Sequence, residues 1–244
     1  LASLAPDHDL IPALIGGEKI VSLALQPTED DHAKLVPAGA IADVVVALKG
    51  NDLVLTSGEN TASLLRNTAD LPLAHRMLNG AETIASGDAA VESFSRARSE
   101  WQALMAVALT GLGRKAVDIG VSYAKERYQF GVLIGSFQGL QHGFASSITG
   151  VEGSHFLSNR AIAALENNSD LGEKLAGMAF LFASEASLNA SAASLQYHGG
   201  YGFAEEYDIQ LYYRRAKGWP LQLGDPGVEY QRIANLCLPS GKVA

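Results

Sequence analysis

The chain has 244 residues, 48% hydrophobic and 18% charged, an ordinary globular balance with enough apolar material for one large domain or two small ones. Its formal net charge of −8 repels a phosphate backbone, and no run of Lys or Arg offsets it, so nucleic acid is excluded as an expected partner. Cys237 is the only cysteine and the six histidines lack ligand spacing, which excludes an intrachain disulfide, leaves no metal site to expect, and suits a reducing cytoplasmic setting.

The most apolar windows, such as the one beginning at Leu175, are broken by Glu, Ser or Asn before the roughly 20 residues a bilayer requires, so no membrane span is predicted. The opening residues 1–10 lack the basic and apolar regions of a signal peptide and read as domain interior or linker. From residue 19 to about 87 the sequence is β in character. Short β-branched or alternating runs at 19–25, 42–50, 52–59 and 73–85 are separated by Gly, Asn, Asp and Pro, and Lys49–Asp52 has hairpin-turn chemistry.

The period then changes. Phe94, Trp101, Leu104, Val107, Ala108, Leu112, Ala116, Ile119 and Tyr123 recur mostly every three or four residues, predicting one amphipathic helix from Ala89 to about Lys125, about 50 Å long at roughly 1.5 Å per residue. A second helix is expected from Ser136 to about Glu166. A third should run from Ser169 or Asp170 to about Tyr197, with Asn167–Asp170 supplying caps. The third is rich in Ala, Ser and Gly, so neighbours can approach it closely on several sides. Shorter helices are expected over Asp208–Lys217 and Val228–Leu238, their link bounded by Pro220 and Pro226.

Two stretches carry chemistry. Gly199, Gly200 and Gly202 follow the third helix at once, and three residues without a Cβ at a helix end imply either a tight reversal or a surface that a ligand approaches closely. Arg127–His142 lies at the junction of the first two helices. Arg127 there can complement the helix dipole and Gly131 permit a turn. Beside the glycine turn a second reading opens, in which the arginine fork meets a pyrophosphate and Phe130 a nucleotide or flavin ring.

These two stretches resemble the flavin-binding signatures of the acyl-CoA dehydrogenases. Arg127, Gln129, Phe130, Gly131, Ile134 and Gln138 match Arg-x-Gln-Phe-Gly-x-x-Ile/Leu-x-x-x-Gln. Gln196, Gly199, Gly200, Gly202, Phe203 and Glu206, with the following Tyr212–Lys217, match Gln-x-x-Gly-Gly-x-Gly-Phe/Tyr and its acid and Tyr-Arg continuation. The resemblance implies an FAD cofactor whose adenosine diphosphate end is met by Arg127, Gln129, Phe130, Ile134, Phe137, Gln138, Gln196, Gly199 and Gly200. It also implies a homologous subunit as partner, in a homo- or hetero-oligomer, because the family's two motifs reach FAD held mainly by the neighbour. The fold so implied is α+β, mainly α: a reduced, small antiparallel β-domain with an N-terminal linker over 1–88, then an antiparallel four-helix-type bundle over 89–244. The family's N-terminal helical domain is expected to be absent or reduced.

The departures from the family pattern bear on catalysis. Where the family carries a Thr-Glu-Pro-Gly-Ala-Gly-Ser-Asp loop for the flavin pyrimidine and phosphates, this chain has Leu25–Asp31; where it carries Trp-Ile-Thr-Asn-Gly over the isoalloxazine, the nearest match is Leu35–Gly39, with neither ring nor hydroxyl. The Glu that serves as base in the commonest subgroup aligns with Asp225, counted back from Arg232. Aspartate is shorter by about 1.5 Å, and Asp225 precedes Pro226, so a base and a helix-initiating residue both remain open. The family's other base position falls near Trp101, with Glu100 adjacent and turned about 100° away. His142, Gln141, Arg214 and Arg215 are either cofactor contacts or ordinary helix residues, and Glu206 is a candidate partner for Arg127 or Arg215. Three functions follow as alternatives: a subunit without a base that completes an FAD site for α,β-dehydrogenation of a fatty or steroid side-chain acyl-CoA bound in its partner, an active dehydrogenase or oxidase using Asp225, and a flavin-free assembly subunit.

Overall fold

The computed structural model describes residues 4–57 and 63–238. The chain divides into two compact units, one running to Arg98 and taking in Leu221–Gly224, the other comprising Ser99–Pro220 and the residues from Asp225 on.

The first unit opens with a short helix α1 (Leu10–Ile15) and then strands β1 (Val21–Leu23), β2 (His32–Val36), β3 (Val44–Lys49), β4 (Asp52–Ser57), β5 (Ala74–Met77) and β6 (Glu82–Ser86). Four of them form a sheet in the order β1-β3-β4-β6, parallel only between β1 and β3, while β2 and β5 pair antiparallel as a separate ribbon. The Lys49–Asp52 turn closes the β3–β4 hairpin as its sequence predicts, with Gly50 at φ +56°. The run expected at 52–59 is β4 to Ser57; Gly58 and Glu59, like residues 1–3, lie outside the described residues. The run expected over 73–85 is two strands in different sheets, because Gly80 at φ +71° turns the chain between them. Val45, Ala47 and Val54 face a core with Ala24, Ala33, Val36 and Leu78, while the alternate residues Val46, Leu48 and Leu53 pack with Ala90 and Phe94. Both faces of the central hairpin are therefore buried, which is why its sequence reads as a continuous apolar run rather than an alternation.

The second unit is a bundle. Helix α2 (Asp88–Glu126), whose residues to Arg98 belong to the first unit, leads through a hairpin of two-residue strands, β7 (Tyr128–Gln129) and β8 (Val132–Leu133), into α3 (Gln138–Glu166), followed by α4 (Gly172–Tyr197), α5 (Ile209–Gly218) and α6 (Pro226–Cys237). Ala103, Ala106 and Leu109 from α2 pack with Ala161 and Leu165 of α3 and Leu175, Ala176, Ala179 and Ala183 of α4. The small side chains allow backbones to meet: a Cβ on Gly113 would lie 3.1 Å from Ser187 Cα, and one on Gly120 would lie 2.6 Å from Ser194 Oγ. Both contacts advance seven residues on each helix, so α2 and α4 run parallel in fixed register. The buried Ser191 turns its hydroxyl back to Ser187 O at 2.8 Å, and the half-buried Ser184 does the same to Phe180 O at 2.6 Å.

Candidate functional site

The parallel register of α2 and α4 brings their C-terminal ends side by side. Arg127 lies one heptad beyond Gly120, and Gln196, Gly199 and Gly200 follow soon after Ser194. Between these ends opens a cavity of about 460 Å³ lined by Tyr123 of α2, by Arg127, Gln129 and Ile134 from the first stretch and by Gln196–Tyr201 from the second. Two motifs about seventy residues apart thus share one concave surface inside the bundle unit.

The glycines of the second stretch have separate tasks. Residues Gly199–Phe203 form a 3-10 turn, with Gly199 at φ +60°. A Cβ on Gly202 would overlap the Leu195 carbonyl oxygen, so this glycine allows the turn to fold back on α4. A Cβ on Gly200 would meet nothing within 4 Å, so its bare peptide faces open space and is available to a ligand. The tight reversal and the approachable surface are both present, on different residues.

In the first stretch the β7–β8 hairpin turns on Phe130 at φ +54° and Gly131 at φ +81°, positive at both central positions as a type I′ turn demands. A phenylalanine held there costs on the order of 1–3 kcal/mol, and its ring is 90% exposed. It meets Phe137 edge-on at 6.3 Å. Phe130, Phe137 and Gln138 lie outside the cavity lining, whereas Arg127, Gln129, Ile134, Gln196, Gly199 and Gly200 belong to it.

Four further rings complete the place. Tyr123 stacks on buried His198 at 4.1 Å, Tyr207 meets both edge-on at 6.3 and 6.1 Å, and Tyr201 lies 5.3 Å from Tyr207. His198 Nδ1 is 2.7 Å from the Ser194 carbonyl oxygen, a contact that carries the ring proton on Nδ1 when the imidazole is neutral. Burial raises the Tyr123 hydroxyl above its ordinary pKa, with the nearby Arg127 charge acting in the opposite direction. Tyr201 receives the Arg127 guanidinium 5.1 Å from its ring centre. The Glu206 partnership suggested by the sequence is formed with neither Arg127 nor Arg215 among the described residues.

Asp225 is exposed and caps α6, accepting from Gly227 N at 2.8 Å with Pro226 in the first turn. Trp101 packs against Phe180 at 5.6 Å in the bundle interior, and Glu100 is exposed. Gln141 and His142 are exposed on the second turn of α3, outside the cavity lining, with Gln141 donating to Gly135 O at 2.9 Å. In the first unit, the polar groups of Leu25–Asp31 bond partly within the segment and partly to its neighbours. Thr28 Oγ1 donates to Asp30 Oδ1 at 2.7 Å, and Asp30 Oδ1 accepts from His32 N at 2.9 Å, bonds that hold the Asp30 carboxyl below its usual pKa. Asp31 pairs with Lys49, and the enclosed Gln26 Nε2 has no partner among the described residues. Within Leu35–Gly39, Val36 is wholly buried, and the buried Arg76 donates to the Gly39 and Ala42 carbonyls at 3.0 and 2.8 Å. This turn is devoted to the core of its own unit.

Residues 86–236 match the family described as acyl-CoA dehydrogenase, C-terminal domain. The chain is 32% identical over 222 residues to acyl-CoA dehydrogenase IpdE2 of Mycolicibacterium smegmatis, covering 90% of this chain and 65% of that protein's length. Among solved structures, a variant of the Tcur3481-Tcur3483 steroid ACAD superposes with a TM-score of 0.81 at 25% identity, covering 94% of this chain and 70% of that one. The ChsE4-ChsE5 complex from Mycobacterium tuberculosis has a similar fold, with a TM-score of 0.82 at 20% identity over 94% of this chain and 69% of that one. The bundle, its two motifs and these likenesses together establish that the chain belongs to the acyl-CoA dehydrogenase family.

Proposed function

We propose that this chain is the non-catalytic subunit of a heteromeric acyl-CoA dehydrogenase, supplying the nucleotide end of an FAD site that is completed across a subunit interface. The reaction it serves is α,β-dehydrogenation of an acyl-CoA, a fatty or steroid side-chain thioester bound in the partner. When bound, FAD supplies the acceptor for the hydride leaving Cβ. This chain's own part is to hold the adenosine diphosphate end.

The observation that carries the reading is the cavity uniting Arg127 with the open Gly200 peptide. A guanidinium with N–H donors in a fork and a peptide edge unobstructed by any Cβ fit a diphosphate. The isoalloxazine end fits less well. No aromatic ring or hydroxyl stands in Leu35–Gly39, and in the loop at Leu25–Asp31 the Thr28 and Asp30 side chains bond each other while Asp31 pairs with Lys49. Asp225 is engaged as a helix cap, which supports a supporting rather than a proton-abstracting role. The steroid ACAD and the ChsE4-ChsE5 complex among the structural neighbours, and the acyl-CoA dehydrogenase IpdE2 among the relatives, support the substrate class and the two-subunit arrangement.

The test is to purify the chain alone and together with a homologous acyl-CoA dehydrogenase subunit encoded beside it, then measure flavin content and turnover of each preparation. Flavin and activity in the complex only are the expected result. Full FAD occupancy and turnover by this chain alone would overturn the proposal in favour of catalysis through Asp225, and absence of flavin from every complex would make the chain an assembly subunit.

A further inference from the structure

Arg127 is the cation of the cavity, yet among the described residues no carboxylate pairs with it and no acceptor takes a hydrogen bond from its side chain. Its recorded side-chain contact is the face of Tyr201. The distinction matters chemically. An ion pair with a carboxylate commonly uses two of the five guanidinium N–H groups, whereas contact through an aromatic face uses none.

Tyr201 is itself held in place. Its ring lies at 33° to that of Tyr207, which meets Tyr123 and His198 edge-on, and the stacked Tyr123–His198 pair is rooted in α2 and α4. His198 is 4% exposed and tied to the Ser194 carbonyl. The outer member of this cluster, Tyr201, remains 45% exposed and lines the cavity. A flexible arginine at a helix end loses much of its rotamer freedom when it settles on such a surface, before any ligand arrives.

Resting on the reading of the cavity as the diphosphate end of an FAD site, we propose that Tyr201 is a positioning residue for Arg127: its ring holds the guanidinium at the cavity while leaving every N–H donor unspent for the ligand. Tyr201 acts through the arginine, so its removal should affect a diphosphate far more than a nucleoside.

The probes are ADP and adenosine, titrated calorimetrically into the flavin-free complex of this chain with the homologous subunit, the chain being wild type, Tyr201→Phe, Tyr201→Leu, Arg127→Ala or the Leu/Ala double variant, with circular dichroism confirming the helical content of each. Wild type should prefer ADP over adenosine, and Arg127→Ala should lower ADP affinity by at least about tenfold. Tyr201→Leu should lower it about three- to tenfold while leaving adenosine unchanged, Tyr201→Phe should restore wild-type affinity, and the double variant should bind ADP no more weakly than Arg127→Ala. Wild-type ADP affinity in Tyr201→Leu, equal losses for ADP and adenosine, or full additivity with Arg127→Ala would defeat the positioning role while leaving the cavity a diphosphate site. No preference of the wild type for ADP would remove the cavity reading itself and the proposal with it.

Discussion

Gln102 and Glu229, 127 residues apart in sequence, meet inside the bundle with the amide Nε2 donating to the carboxylate at 2.6 Å. Gln102 is wholly buried and Glu229 is 2% exposed. Arg232 closes the arrangement, donating to Glu229 from Nε and Nη2 and to Glu173 from Nη1. Burial alone would lower the Arg232 pKa, but hydrogen bonds and charge from Glu229 and then Glu173 raise it instead. Helices α2, α4 and α6 are thereby joined through one charged node. Truncating Glu229 to Ala should cost about 3 kcal/mol, the lower end for a broken buried pair because Arg232 keeps Glu173. Thermal unfolding should show the midpoint falling by about 6–12 °C.

The two glycines at 200 and 202 should separate ligand binding from folding. Gly202→Ala forces a methyl group into the Leu195 carbonyl and is expected to cost about 1–3 kcal/mol, read from denaturant midpoints. Gly200→Ala should fold with stability within about 0.5 kcal/mol of wild type. The same variant should carry less flavin in the assembled complex, because the methyl group occupies the space beside the open peptide.

At position 225, asparagine keeps the cap. Asp225→Asn should leave stability nearly unchanged, whereas Asp225→Ala should lose about 1 kcal/mol. Turnover of the assembled complex should be unaffected by Asp225→Asn. A loss of activity without loss of stability would identify Asp225 as the base.

Tyr123 makes stability fall in alkali. Its hydroxyl is raised by burial above the ordinary tyrosine value of about 10. A group whose pKa is higher in the folded than in the unfolded state contributes stability that is complete below the unfolded value and lost as pH rises through the folded one. Urea midpoints measured from neutral to strongly alkaline pH should therefore fall more steeply for wild type than for Tyr123→Phe.

The long helices could be read from sequence because three- and four-residue recurrence of apolar side chains directly reflects the surface that a helix buries. Phe94 through Tyr123 carry that record over one continuous element. The two motifs that resemble the family's signatures stand out for a different reason: Arg127 and Gly200 have residue types that local folding alone leaves underdetermined. The sheet pairing was less accessible. Nothing in His32–Val36 distinguishes a ribbon with β5 from an irregular link, and the parallel pairing of β1 with β3 depends on contacts distant in sequence. The β7–β8 hairpin escaped notice because its strands have two residues each and its turn puts phenylalanine where asparagine or glycine is usual. The rings of His198, Tyr201 and Tyr207 come from one short stretch, and the register of α2 against α4 adds Tyr123 to them.

That register also determines which changes of length the molecule tolerates. Direct docking of Gly113 on Ser187 and of Gly120 on Ser194 juxtaposes the two motifs, whatever the path of the chain between them. Extra residues in the Asn167–Leu171 connection would leave the arginine and the glycine turn as neighbours. One residue inserted between Gly120 and Arg127 would instead swing the guanidinium about 100° around its helix and away from its counterpart.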